Sequence, residues 1–95
     1  MAVVEHAVLT VDDERAAEFE RAFATARPDL QAAQGASEVA LDRSLDDARR
    51  WLLRVRWERI EDHLEGFPAS EAGRRFVAAV SPYFAEPPIV VHVPA

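Results

Sequence analysis

The sequence predicts an α+β fold of order β-α-β-β-α-β, in which four antiparallel strands form one sheet and the helices cover one face of it. Three observations carry that prediction. Between Trp51 and Trp57 the side chains alternate, with Trp51, Leu53, Val55 and Trp57 on one side and Leu52, Arg54 and Arg56 on the other. Period 2 with aromatic and β-branched residues is the signature of a strand. Directly beyond, Ile60, His63, Leu64 and Phe67 recur at helical spacing, and Gly66 is placed to stop the helix. Two further alternating segments precede this strand–helix unit and one follows it, so a single sheet can collect all four.

Taken in order, Val3 to Val11 reads as the first strand. Val3, Glu5, Ala7, Leu9 and Val11 share one side; Val4, His6 and Val8 share the other. Thr10 or Asp12 can cap the helix that follows, and Asp12, Asp13 and Glu14 suit its positive end. Ala16, Phe19, Phe23 and Ala26 form its apolar stripe. Pro28 lacks the N–H that a helix interior needs, so Pro28 to Ala33 is expected as a separate short turn, with Leu30 and Ala33 inward and Gly35 at its end. Ser37 to Arg43 is the second strand, with Val39 and Leu41 inward; its charged residues suit a sheet edge. Ser44 to Asp47 is a turn. After the central strand and its helix, Ser70 can cap a last helix bearing Gly73, Phe76, Val77 and Val80, closed by Pro82. Ile89 to Val93 is the fourth strand.

With right-handed crossovers this order gives a ferredoxin-like sheet in a single domain spanning residues 1–95. The face toward the helices is then expected to collect Val3, Ala7, Leu9, Val11, Val39, Leu41, Trp51, Leu53, Val55, Trp57, Ile89, Val91 and Val93. The other face holds Val4, His6, Val8, Leu52, Arg54, Arg56, Val90 and His92. That mixed face is too apolar to be wholly solvated and too charged for a closed core, which suits a homodimer joined through the sheet faces.

Composition narrows the function classes. A chain of 95 residues has a small core, and association with a second copy would enlarge it. With no Cys, neither a disulfide, a thiolate metal site nor a thiol nucleophile can form. All 11 basic residues are Arg, and the net charge of −6 disfavours nucleic acid and anionic membranes as partners. No apolar run approaches the roughly 20 residues of a membrane span. Glu5 and His6 interrupt the first apolar run and no basic residue precedes it, so no signal peptide is expected and a cytoplasmic location is. Gly-rich phosphate loops and the G-x-S-x-G nucleophile motif are absent.

Trp57-Glu58, Glu61-Asp62-His63, Gly66-Phe67 and Ser70 resemble the W-E-x-x-E-x-H-x-x-G-F-x-x-S region of antibiotic biosynthesis monooxygenase-like domains. Tyr83-Phe84 and Glu86-Pro87-Pro88, ahead of a strand containing His92, are similar to one branch of that family. The resemblance follows the element order over nearly the whole chain; its specific motif runs from Trp57 to His92. It implies a dimeric α+β barrel in which two ferredoxin-like sheets pack face to face. Some members oxidise aromatic polyketides with O2 and need no cofactor, neither metal nor flavin; others bind and degrade haem through a His on the last long helix. Ser70 to Val80 carries no His here, which disfavours haem. Two function classes therefore stand side by side: a cofactor-independent monooxygenase acting on a small aromatic or polyketide-like substrate, and a non-catalytic dimeric module that binds a hydrophobic small molecule.

Within that frame His63 is the candidate catalytic base, because such oxygenation begins by removing a proton from a phenolic substrate. Its structural alternative is a ring packed on Trp57 or Phe67. Arg54 and Arg56 are candidate anion holders; alternatively they pair with Glu38, Asp42 or a carboxylate of a second subunit at the dimer interface. Trp57, Phe67, Tyr83 and Phe84 are candidates for an aromatic pocket wall, or for ordinary core. His6 and His92 are expected as neighbours on one face, lining a cavity; with no third ligand, no metal site is expected. The cavity is expected either beneath the helices, past His63 with Tyr83 and Phe84 returning to its opening, or between two sheets.

Overall fold

Four alternating segments give four strands: β1 (Val3–Thr10), β2 (Ala36–Arg43), β3 (Arg50–Trp57) and β4 (Ile89–Pro94). In the computed structural model, which describes residues 1–95, they form one antiparallel sheet in the order β2-β3-β1-β4. The helices are α1 (Ala16–Gln31), α2 (Phe67–Ala69) and α3 (Glu71–Val80), the first entered through a 3-10 turn at Asp13–Arg15. This is the predicted ferredoxin-like fold, with β2 at an edge.

One core of 16 buried residues lies between sheet and helices. Val3, Ala7 and Leu9 come from β1, and Trp51, Leu53, Val55 and Trp57 from β3. They meet Phe19, Phe23, Ala26 and Leu30 of α1 and Phe76 and Val80 of α3. Rings interlock edge to face where layers meet, Phe19 on Trp51 at 5.2 Å and Phe23 on Phe76 at 5.9 Å. Ser70 caps α3 as expected: its Oγ accepts the Gly73 N–H at 3.0 Å and donates to the Phe67 carbonyl at 2.7 Å. The turn needs glycine at position 73, since a Cβ there would lie 1.7 Å from the Phe67 carbonyl oxygen.

Five details differ from the sequence reading, each for a local reason. Pro28 does not break the helix; α1 runs through it to Gln31. Burial of Phe23, Ala26 and Leu30 along one stripe offsets the hydrogen bond that proline removes. Asp12 does not cap α1 with its side chain, which instead accepts from Arg49 at 2.9 Å. Leu64 is exposed and Asp62 buried, because Asp62–Gly66 winds as a π-helical turn. That wider winding shifts the inward positions to Asp62 and Phe67, five residues apart. Asp62 fits because Gly35, at φ 82°, leaves room: a Cβ there would sit 2.2 Å from Asp62 Oδ2. Val77 is also exposed, since α3 buries only the narrow stripe of Gly73, Phe76 and Val80.

The fifth difference matters for function. In β4 the inward and outward residues are exchanged relative to expectation. Pairing with β1 sets Val90 opposite Ala7, His92 opposite Glu5 and Pro94 opposite Val3, so these three face the helix side. Ile89, Val91 and Val93 face the open side, opposite Val8, His6 and Val4. A strand slipped by one residue turns every side chain over.

Candidate functional site

The register just described brings four side chains together at one end of the covered face. Glu5 on β1 sits between Val55 of β3 and His92 of β4. Trp57 ends β3 and is fully buried. His63 arrives on the π-helical turn, and its ring stacks on Trp57 with centroids 5.1 Å apart and planes 13° apart. Its Nδ1 lies 2.8 Å from His92 Nε2, and its Nε2 lies 3.4 Å from Glu5 Oε1. The same Glu5 oxygen accepts the Trp57 indole N–H at 3.0 Å. His63 and His92 are both partly buried, and Glu5 is buried behind them.

Burial sets the protonation of this group. It lowers the His63 pKa to about 4, helped by the neighbouring His92, so His63 is a neutral ring at pH 7 and its contact with Glu5 is not an ion pair. An imidazole buried in this way is a weaker base than one at its ordinary pKa. Burial raises the Glu5 pKa above the usual carboxylate range, against the opposing pull of the Trp57 hydrogen bond. Glu5 escaped the sequence reading, although an acid alternating among Val3, Ala7 and Leu9 was the available signal.

The other predicted site residues separate from this cluster. Arg54 and Arg56 lie across the sheet on the open face, where Arg54 meets Asp42 at 3.2 Å and Arg56 meets Glu38 at 3.9 Å. The ion-pair alternative thus accounts for both. His6 shares that open face with them around a shallow depression lined also by Val4, Val39 and Val93. It is therefore not on the face of His92, and the expected His6–His92 pair does not form. Trp57 and Phe67 are core: Phe67 packs on Trp57 and Phe76, each at 5.8 Å. Tyr83 packs on Phe19 at 6.2 Å, under Arg15. Phe19 contacts Trp51, six residues along β3 from Trp57. At about 3.3 Å per residue that is roughly 20 Å from His63, so Tyr83 and Phe84 do not return to its opening. None of the three surface depressions is lined by Glu5, His63 or His92, so the cluster does not line the expected cavity beneath the helices.

A ferredoxin-like sheet with one covered and one open face, and a buried acid in contact with one of two paired histidines, defines a small α+β protein. The model of the antibiotic biosynthesis monooxygenase family matches residues 2–79, and the chain belongs to that family. The uncharacterized protein YczJ of Bacillus subtilis is 32% identical over 90 residues, covering 95% of each chain. A crystal structure from Bordetella bronchiseptica bearing the same family name is 36% identical at a TM-score of 0.93, covering 99% of this chain and 96% of that one. SnoaB, a cofactor-independent oxygenase from Streptomyces nogalater, superposes at a TM-score of 0.80 over 99% of this chain and 92% of its own. At 18% identity that last likeness concerns the fold alone.

Proposed function

We propose that this protein is a cofactor-independent monooxygenase that oxidises a small aromatic or polyketide-like substrate with O2. The observation that supports the reading most is the neutral His63 held between Glu5 and His92 at the partly open end of the sheet. A neutral imidazole pair can take a proton from an acidic C–H or phenolic O–H. The resulting electron-rich anion is then the reductant of O2. For an anthrone, one oxygen atom becomes the new carbonyl and the other leaves as water, with all electrons supplied by the substrate. The reading also draws on the family and on the likeness to SnoaB. Arg54 and Arg56 are across the sheet from the cluster, so neither holds an oxyanion there.

O2 consumption with a panel of hydroxylated anthrones and naphthols, without added cofactor, tests the reading. Turnover by the wild type that is lost in His63→Ala is the expected result. Tight binding of the same compounds without turnover would replace it with the non-catalytic binding module.

The working form is proposed to be a homodimer joined through the open sheet faces. Val4, Val8, Leu52, Ile89, Val91 and Val93 supply its apolar part, and Ile89, Val91 and Val93 are 58%, 53% and 40% exposed in the single chain. Sedimentation at micromolar concentration should give twice the chain mass of 10.6 kDa; a monomer there would rule the interface out.

A further inference from the structure

Hydrogen-bond directions within the cluster can be worked out from the buried end. Glu5 Oε1 accepts the Trp57 N–H at 3.0 Å, and as a carboxylate oxygen it can only accept. The His63 nitrogen that faces the same oxygen at 3.4 Å is Nε2. A proton on Nε2 is attracted to that oxygen, whereas a lone pair would be repelled by it. Neutral His63 then carries its lone pair on Nδ1 and accepts the Nε2–H of His92 across 2.8 Å. His92 in turn has its lone pair on Nδ1. That nitrogen has no hydrogen-bond partner within the chain, and His92 is partly exposed on an edge strand. Both nitrogens of His63 are thus occupied, one by His92 and one by Glu5.

We propose that His92, through Nδ1, is the base that meets the substrate, with His63 and Glu5 behind it as positioning residues. This rests on the oxygenase reading above and revises which ring does the work. The substrate's C–H or O–H bond breaks and an N–H bond forms at His92 Nδ1. The Nε2 proton of His92 is then shared with His63 Nδ1, so the new positive charge spreads over two rings. In its ionised form the Glu5 carboxyl, 3.4 Å from the inner ring, opposes that charge and keeps His63 in the tautomer that can accept. The proton returns along the same line when the reduced oxygen leaves as water. Stacking on the buried Trp57 face prevents His63 from rotating out of line.

The test has two independent readouts. Long-range proton–nitrogen correlation spectra of labelled wild-type protein at neutral pH should find His63 protonated on Nε2 and His92 protonated on Nε2. His63 protonated on Nδ1 would overturn the assignment, whether or not the protein consumes O2. In O2-consumption assays with an anthrone, His92→Ala should lower kcat by roughly 100-fold or more at near-unchanged KM, the usual scale for a lost general base. Added imidazole should restore much of that loss, because the vacated position is open to solvent; a merely structural His92 would not be rescued. Glu5→Gln retains an oxygen for the Trp57 bond but not the charge; it should lower kcat, and its spectra should show His63 as a mixture of tautomers. Wild-type kcat in His92→Ala would overturn the proposal. Absence of O2 consumption by the wild type itself would instead overturn the reaction, leaving the tautomers to decide the order of the three residues.

Discussion

The two faces of the sheet use the same strands for opposite ends. On the covered face, Trp51, Leu53, Val55 and Trp57 are all buried, and the polar groups of Glu5, Trp57 and His63 make specific contacts to one another. On the open face, Arg54 and Arg56 are paired but hydrated, and apolar side chains of β4 stand in water. Low dielectric under the helices makes each polar contact there consequential, while solvent across the sheet screens its counterparts. The difference teaches where chemistry can be tuned: under the helices, burial lowers the pKa of His63 and raises that of Glu5.

The largest effect that separates the faces should come from Trp57→Ala. Trp57 is fully buried, so truncation leaves a cavity and should destabilise by about 3–5 kcal/mol. It also removes the N–H donor of Glu5. Urea unfolding that leaves the midpoint within a few tenths molar of wild type would contradict this placement.

Next in size is the pH dependence. The His63 pKa falls from 6.5 to about 4 on folding, so between those values the unfolded chain binds the extra proton. Stability from this group is therefore complete above pH 6.5 and declines as pH drops toward 4, by about 3 kcal/mol at most. Glu5 acts in the other direction: its raised pKa penalises the folded state once the carboxyl must ionise, and that penalty eases on acidification. Thermal melts between pH 4 and 7 should show the decline in wild type and a flatter profile in His63→Asn. Equal slopes for the two proteins would refute the burial of a neutral His63.

The smallest effects belong to the open face. Arg54→Ala and Arg56→Ala each remove an ion pair whose partners are at least a third exposed. Each should change the stability of the folded chain by less than about 1 kcal/mol. A chemical-denaturation shift several times larger, at a concentration where the protein is monomeric, would mean that this face is as tightly organised as the covered one.

Much of this was legible because it is local. The β3 alternation was readable since its two sides differ in polarity, and its direction held from Trp51 to Trp57. β4 was not: in Ile89-Val90-Val91-His92-Val93 both sides are apolar apart from one His, so period 2 cannot say which side faces in. Only hydrogen bonding to β1 set His92 opposite Glu5. The helix after β3 was recognised, but its π-helical turn was not, because a stripe at 60, 63, 64 and 67 presumes an ordinary pitch. Tyr83 and Phe84 looked close to His63 because both follow Phe67 in the chain, yet Val11 bridges Phe84 at the far end of β1.

By itself, then, the amino-acid sequence determined the element order, the core of β1 and β3 and the Ser70 cap, and it offered the ion pairs of Arg54 and Arg56 as one alternative. Those depend on periodicity and on neighbours brought together by adjacent strands. The tertiary structure alone decided that Glu5, His63 and His92 meet while His6, Arg54, Arg56 and Tyr83 stand apart. These contacts span 29 residues for His63 with His92 and 52 for Glu5 with Trp57. The physical reason is that strand register and helical pitch, each a cooperative choice over a whole element, determine which face every such residue takes.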